Sequence, residues 1–113
     1  VNDGVTTTKN NSYNVAQYVG ANVSAGALVY KFDGDMADFW LDYGTSLDLT
    51  LVANRQKFYR NGPVYLGSGG SVPTGSAPDV FFSGTTASWH TNDAAGGGFT
   101  LTGALTSAAT NPP

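Results

Sequence analysis

Not one glutamate occurs among the 113 residues; all eight carboxylate side chains are aspartate. Glu, Lys, Arg and Gln normally fill the exposed faces of helices. Thr, Ser, Asn, Gly and Val stand in their place here, and these favour strands and turns. Fifteen Gly and five Pro supply frequent punctuation. The expected fold class is therefore all-β, with no convincing helix.

Period-two alternation supports that expectation. Tyr13 to Val19 alternates around Val15 and Tyr18. Ala27 to Asp33 (ALVYKFD) sets Leu28, Tyr30 and Phe32 against Val29 and Lys31. In Asp38 to Tyr43 (DFWLDY), Phe39, Leu41 and Tyr43 oppose Asp38, Trp40 and Asp42. Leu47 to Val52 (LDLTLV) is the most regular, with Leu47, Leu49 and Leu51 on one face. Val64 to Leu66, Val80 to Phe82, Thr86 to His90 and Phe99 to Leu105 complete the set. Asn22 to Gly26, Asn61-Gly62 and Asn92 to Gly98 read as turns, and Gly67 to Pro78 as a long loop.

About eight or nine strands at spacings of roughly 8–12 residues predict an antiparallel β-sandwich or jelly roll. Leu28, Tyr30, Phe32, Phe39, Leu41, Leu47, Leu49, Leu51 and Phe99 are expected to point inward. The length suits a single domain spanning residues 1–113, with a polar arm at Val1 to Ser12 and a tail at 106–113. A chain opening on Val1 rather than Met is expected to be processed, or excised from a longer protein.

Charged residues make up only 12% of the chain, about half the usual share. A net charge of −3 and a pI near 4.5 oppose nucleic-acid binding, which needs a concentrated basic surface. No apolar run approaches the ~18 residues of a membrane span. Without cysteine there are no disulfides, thiolate metal sites or thiol nucleophiles. One histidine, no Glu and no Gly-x-Ser-x-Gly elbow leave acid–base or serine catalysis without its parts, so no enzyme is expected.

Asp33, Asp35 and Asp38 crowd one glycine turn, an arrangement of oxygens that a hard cation such as Ca²⁺ requires. The same acids serve equally well as turn formers and solvated strand residues. Trp40 shares a strand face with Asp42, and an aromatic ring beside a carboxylate suits a sugar. Trp89 and His90 form a second aromatic-polar pair, or simply a strand residue with a loop partner. Arg55, Lys57 and Arg60 carry three of the five basic residues. They suit a charge-complementary contact between identical subunits, or an edge strand whose charge blocks aggregation.

The stretch FYRNGPVYLGSGG (58–70), then Val80-Phe81-Phe82, Ala87 to Thr91 (ASWHT), Asn92-Asp93 and Gly98-Phe99, resembles the C-terminal half of the CUB domain. That family is an extracellular β-sandwich module. The resemblance implies a secreted binding role and a Ca²⁺ site whose nearest matches are Asp48 and Asp93. The cysteines and the calcium-binding Glu of the family have no counterpart here. Ala37 to Tyr43 (ADFWLDY) is more weakly similar to bacterial pre-peptidase C-terminal sandwiches.

Three functions are carried forward. The first is a non-catalytic extracellular or cell-surface adhesion module that recognises a protein or glycan through Trp40, Asp42, Trp89 and His90. The second is a self-assembling structural subunit of a surface filament or coat, a homo-oligomer or polymer whose arms add strands to neighbours. The third is a Ca²⁺-assisted lectin.

Overall fold

The computed structural model describes residues 18–109 of the chain. They fall into two compact units that meet in sequence at Gly34 and Asp35.

The first unit is built on a hairpin. Strands β1 (Asn22–Ser24) and β2 (Ala27–Val29) pair antiparallel, with Ser24 opposite Ala27. The connection is therefore only Ala25-Gly26, at φ 51° and 81°. Positive φ at both central residues is the type I′ pattern, whose twist matches the flanking strands. Alanine in that left-handed region costs roughly 1–2 kcal/mol. Beyond the strands, the Phe32 amide donates to the Gly20 carbonyl at 2.7 Å, prolonging the hairpin. Tyr30, at φ 51°, ends β2, and its side chain is 84% exposed.

The second unit is organised by β3 (Phe39–Leu41) and β4 (Val80–Phe82), an antiparallel pair with Trp40 opposite Phe81. β4 is apolar at every position and all three residues are buried. An unbroken apolar triplet is what a strand covered on both faces demands. One cover is the segment read as a loop, GSGGSVPTGSAP, in which Pro73 and Pro78 are fully buried. Its Val72 amide donates to the Leu66 carbonyl at 3.0 Å, and Leu66 is the fourth buried hydrophobic side chain among the described residues. Gly70 lies so close to Phe81 that a Cβ there would meet the ring at 2.8 Å.

The free edge of β4 is closed by Asn92 and the glycines after it. The Asn92 side-chain oxygen accepts from the Phe81 and Ala94 amides at 2.9 and 3.1 Å. Its Nδ2 donates to the Asp79 and Gly97 carbonyls at 3.0 and 3.1 Å. The Asp93 amide returns a bond to the Phe81 carbonyl at 2.9 Å, and the Gly96 amide reaches Asp79 at 3.0 Å. A side chain at Gly96 would strike the Asp79 carbonyl at 2.1 Å, so this turn must carry glycine. Around Phe82 stand Phe39, Trp89 and Phe99, with ring centroids 5.6, 5.2 and 4.9 Å away.

The expected sandwich of eight or nine strands is not formed. The described residues contain four three-residue strands in two separate two-stranded sheets, and one helical turn, α1 (Val52–Arg55). The most instructive departure is Leu47 to Val52. Its alternation holds on paper, but its polar residues are Asp and Thr, which bond backbone locally and compete with a ladder. The Asp48 carboxylate accepts from the Thr50 amide and hydroxyl at 2.9 and 2.6 Å. The Asn54 amide group then donates to the Asp48 carbonyl, and the Arg55 guanidinium to the Leu49 and Thr50 carbonyls. Those bonds close a turn that runs into α1.

Val64 to Leu66, Thr86 to His90 and Phe99 to Leu105 are likewise turns or irregular chain. The Tyr13 to Val19 strand falls largely outside the described residues, as does the arm at Val1 to Ser12. Of the residues expected inward, Tyr30, Phe32, Leu49 and Leu51 are exposed, while Leu28, Phe39, Leu41, Leu47 and Phe99 are half-buried.

Two substitutions test this arrangement. Ala25→Asn, which tolerates the left-handed turn better, should stabilise the hairpin by about 0.5–1 kcal/mol. Asn92→Ala strips partners from the buried Phe81 amide and from the Asp79 carbonyl, and should destabilise the second unit by about 2 kcal/mol or more. Urea midpoints of the two variants against the parent chain give both values.

Candidate functional site

An open cleft of about 600 Å³ lies in the second unit, between residues 37–49 and residues 58–66. Such a volume falls within the range of small-ligand sites. Trp40, from the middle of β3, forms one wall with Phe58, and the two rings meet edge to face at 5.4 Å. The indole cannot swing freely, because its Nε1 donates to the Gly70 carbonyl at 2.9 Å. Leu41, Leu47, Leu49 and Tyr59 extend the apolar surface.

Two carboxylates, Asp38 and Asp42, enter this surface beside the Thr45 and Ser46 hydroxyls. Asp42 follows β3 and makes the next turn, its Oδ1 accepting from the Gly44 and Thr45 amides at 2.7 and 3.1 Å. No hydrogen bond to its second oxygen is made among the described residues. The Asp79 carboxylate, just ahead of β4, accepts from the Tyr43 amide at 2.8 Å and fixes the same turn from the opposite strand. Burial pushes the Asp38 carboxyl above its ordinary value, since its charge is partly desolvated. No Lys, Arg or His lines the cleft. A recess of aromatic and aliphatic walls with two acids favours a cationic group carried on an apolar stem, and disfavours anions.

Trp40 and Asp42, paired on one strand face in the sequence, do come together here. Trp89 and His90 do not line the cleft. Trp89 packs on Phe82 and its indole N–H donates to the Ala37 carbonyl. His90 is half-buried, and its Nδ1 has no hydrogen-bond partner. Nothing in the sequence brings Phe58 and Tyr59 beside Trp40 and Asp38. The signal for Asn92 was present: an Asn before Asp and a glycine run is a side-chain-capped turn.

The acids proposed for Ca²⁺ fall on both sides of the boundary between the units, or are engaged locally. Asp33 belongs to the first unit, Asp35 and Asp38 to the second. The Asp48 carboxylate is occupied by Thr50, and the Ser83 hydroxyl donates to Asp93 at 2.9 Å. Among the described residues, no three or more His, Cys, Asp or Glu side chains are placed to hold a metal ion.

The acids give the site region a pH signature. The Thr50 hydroxyl, then its amide, holds the Asp48 carboxyl below its ordinary value. A depressed carboxyl stabilises the fold above its unfolded pKa, and that contribution disappears as pH falls through the lower folded value. Asp38 has the opposite sign: its raised pKa opposes folding as pH rises through the unfolded value, and fully so above the folded one. Thermal melts of Asp48→Asn should therefore lose less stability on acidification than the parent, whereas Asp38→Asn should gain slightly at neutral pH. Trp40→Phe should cost about 1–3 kcal/mol by orphaning the buried Gly70 carbonyl, read from urea melts.

No protein-family model, no curated protein and no solved structure matches the chain, so its function rests on its own residues.

Proposed function

We propose that this protein is a non-catalytic structural subunit that completes its packing against other protein chains, in a surface filament or coat. The observation that carries this reading is the disproportion between what the chain buries and what it leaves out. Among the described residues the buried hydrophobic side chains are Leu66, Val80, Phe81 and Phe82. Tyr65 is 77% exposed, Val72 57% and Val52 56%, and Leu49, Leu51, Met36, Leu101 and Leu105 are exposed as well.

Burying one large apolar side chain stabilises by roughly 1.5–3 kcal/mol, so exposing this many forgoes a large share of the available driving force. Scattered single exposed hydrophobics are ordinary on a monomer. Here they accompany a core of four hydrophobic side chains and a chain that is only 12% charged. Low charge removes the self-repulsion that keeps subunits apart. Among the described residues no helix is long and apolar enough to cross a membrane.

A second reading keeps the chain as a cell-surface adhesion module, with the Trp40 cleft as its glycan or peptide seat. The aromatic wall beside the Asp42 oxygen favours it. The two readings separate by sedimentation equilibrium over a range of concentrations. A structural subunit should populate dimers or larger species as concentration rises, with a melting temperature that rises alongside. A chain that stays monomeric at high concentration, melts independently of concentration and binds a glycan or peptide would favour adhesion and overturn the assembly reading.

A further inference from the structure

We infer that the cleft beside Trp40 receives Arg60 from a second copy of this chain, each subunit lending its Arg60 to the other. The inference rests on the assembly reading and names the contact through which it begins.

The cleft presents two carboxylates, one aromatic wall and no cation of its own. Asp38 has no hydrogen-bond partner among the described residues, and Asp42 commits one oxygen to its turn. An unpartnered carboxylate gains from a cation brought against it. The chain concentrates its positive charge in Arg55, Lys57 and Arg60. Arg55 is held by the Leu49 and Thr50 carbonyls, and Lys57 by the Pro73 carbonyl at 2.8 Å. The Arg60 guanidinium has no partner among the described residues, and the residue is exposed.

Arg60 is also well placed. It stands between Tyr59 and Pro63, which pair across a tight turn and both line the cleft. Its amide donates to the Gly62 carbonyl at 2.9 Å, and Asn61 at φ 55° makes the tip. The exposed Arg60 therefore sits in the turn that joins two cleft-lining residues, at the rim of the acidic cleft. A surface carrying a group and its complement side by side is self-complementary. A two-fold axis past the rim sets each Arg60 over the other subunit's Asp38 and Asp42. A planar guanidinium suits this seat better than an ammonium, since it stacks on aromatic rings while bonding carboxylate.

Charge reversal on the full chain tests the contact. Arg60→Glu alone and Asp38→Lys alone each place like charges at both contacts of the pair. Each should weaken self-association by about tenfold or more, as for a disrupted interfacial ion pair. Mixed in equal amounts, the two variants should associate again, because Glu at 60 then faces Lys at 38 while Arg60 faces Asp38. Sedimentation equilibrium reads all three samples, with far-UV spectra and thermal melts confirming that each variant is folded. Should Asp38→Lys fail to fold, Asp38→Asn and Arg60→Gln should each weaken association and flatten its salt dependence.

A parent chain that associates while Arg60→Glu associates equally well would overturn this contact and leave the assembly reading standing. So would two weakened variants that do not recover on mixing. A parent chain that remains monomeric at every concentration would overturn both.

Discussion

Everything in the second unit is arranged around the backbone of Phe81. On one side β3 supplies the ladder partner; on the other, Asn92 and Asp93 take the Phe81 amide and carbonyl. A strand of three residues is far too short to persist by pairing alone, since even an isolated hairpin is marginal in water. What secures this one is that its edge is closed by a side chain instead of a third strand. Asn92 has both an acceptor and donors to offer, so one residue replaces several ladder bonds. With the edge closed, Val80, Phe81 and Phe82 can be buried without orphaned amides, and the proline loop and the aromatic cluster have something to pack against.

This dependence explains which parts of the fold were legible in the sequence. Val-Phe-Phe between Asp79 and Ser83 reads as a buried strand, and it is one with the expected bounds. The Phe39–Leu41 strand is also found within its alternating segment. Leu47 to Val52 shows the limit of the method. Alternation states which faces would be apolar, but not whether anything covers them. Where no partner strand arrived, Asp48 and Arg55 captured the backbone, and Leu49 and Leu51 remained exposed. The loop of residues 67–78 shows the converse. Its composition suggested a passive connection, yet Pro73 and Pro78 are fully buried, because proline brings no amide donor that would need a partner.

The cleft was legible by half. Trp40 and Asp42 share a strand face by simple alternation, and that proximity survived even though the surrounding sandwich did not. The second wall, Phe58 and Tyr59, depends on long-range chain reversal that no local pattern encodes. Trp89 and His90 were expected to face a ligand, but the Trp89 ring packs edge-to-face on Phe82, which gathers three rings about itself. An aromatic side chain near an underfilled core is drawn inward before it is offered to a ligand.

The few charges of the second unit complete the account. Asp42, Asp48 and Asp79 accept from backbone amides; Arg55 and Lys57 donate to backbone carbonyls. With so little regular structure among the described residues, charged side chains do what ladders do elsewhere: they satisfy peptide groups that strands and helices would otherwise pair. The consequence is a surface with little charge left for solvation. Exposed apolar residues and committed charges are therefore two results of one cause, the shortness of the described strands. On the assembly proposed above, covering that surface with protein offsets what the short strands leave exposed. Under that proposal Asp38 and Arg60, whose side chains make no hydrogen bond among the described residues, are charges that direct where the covering begins.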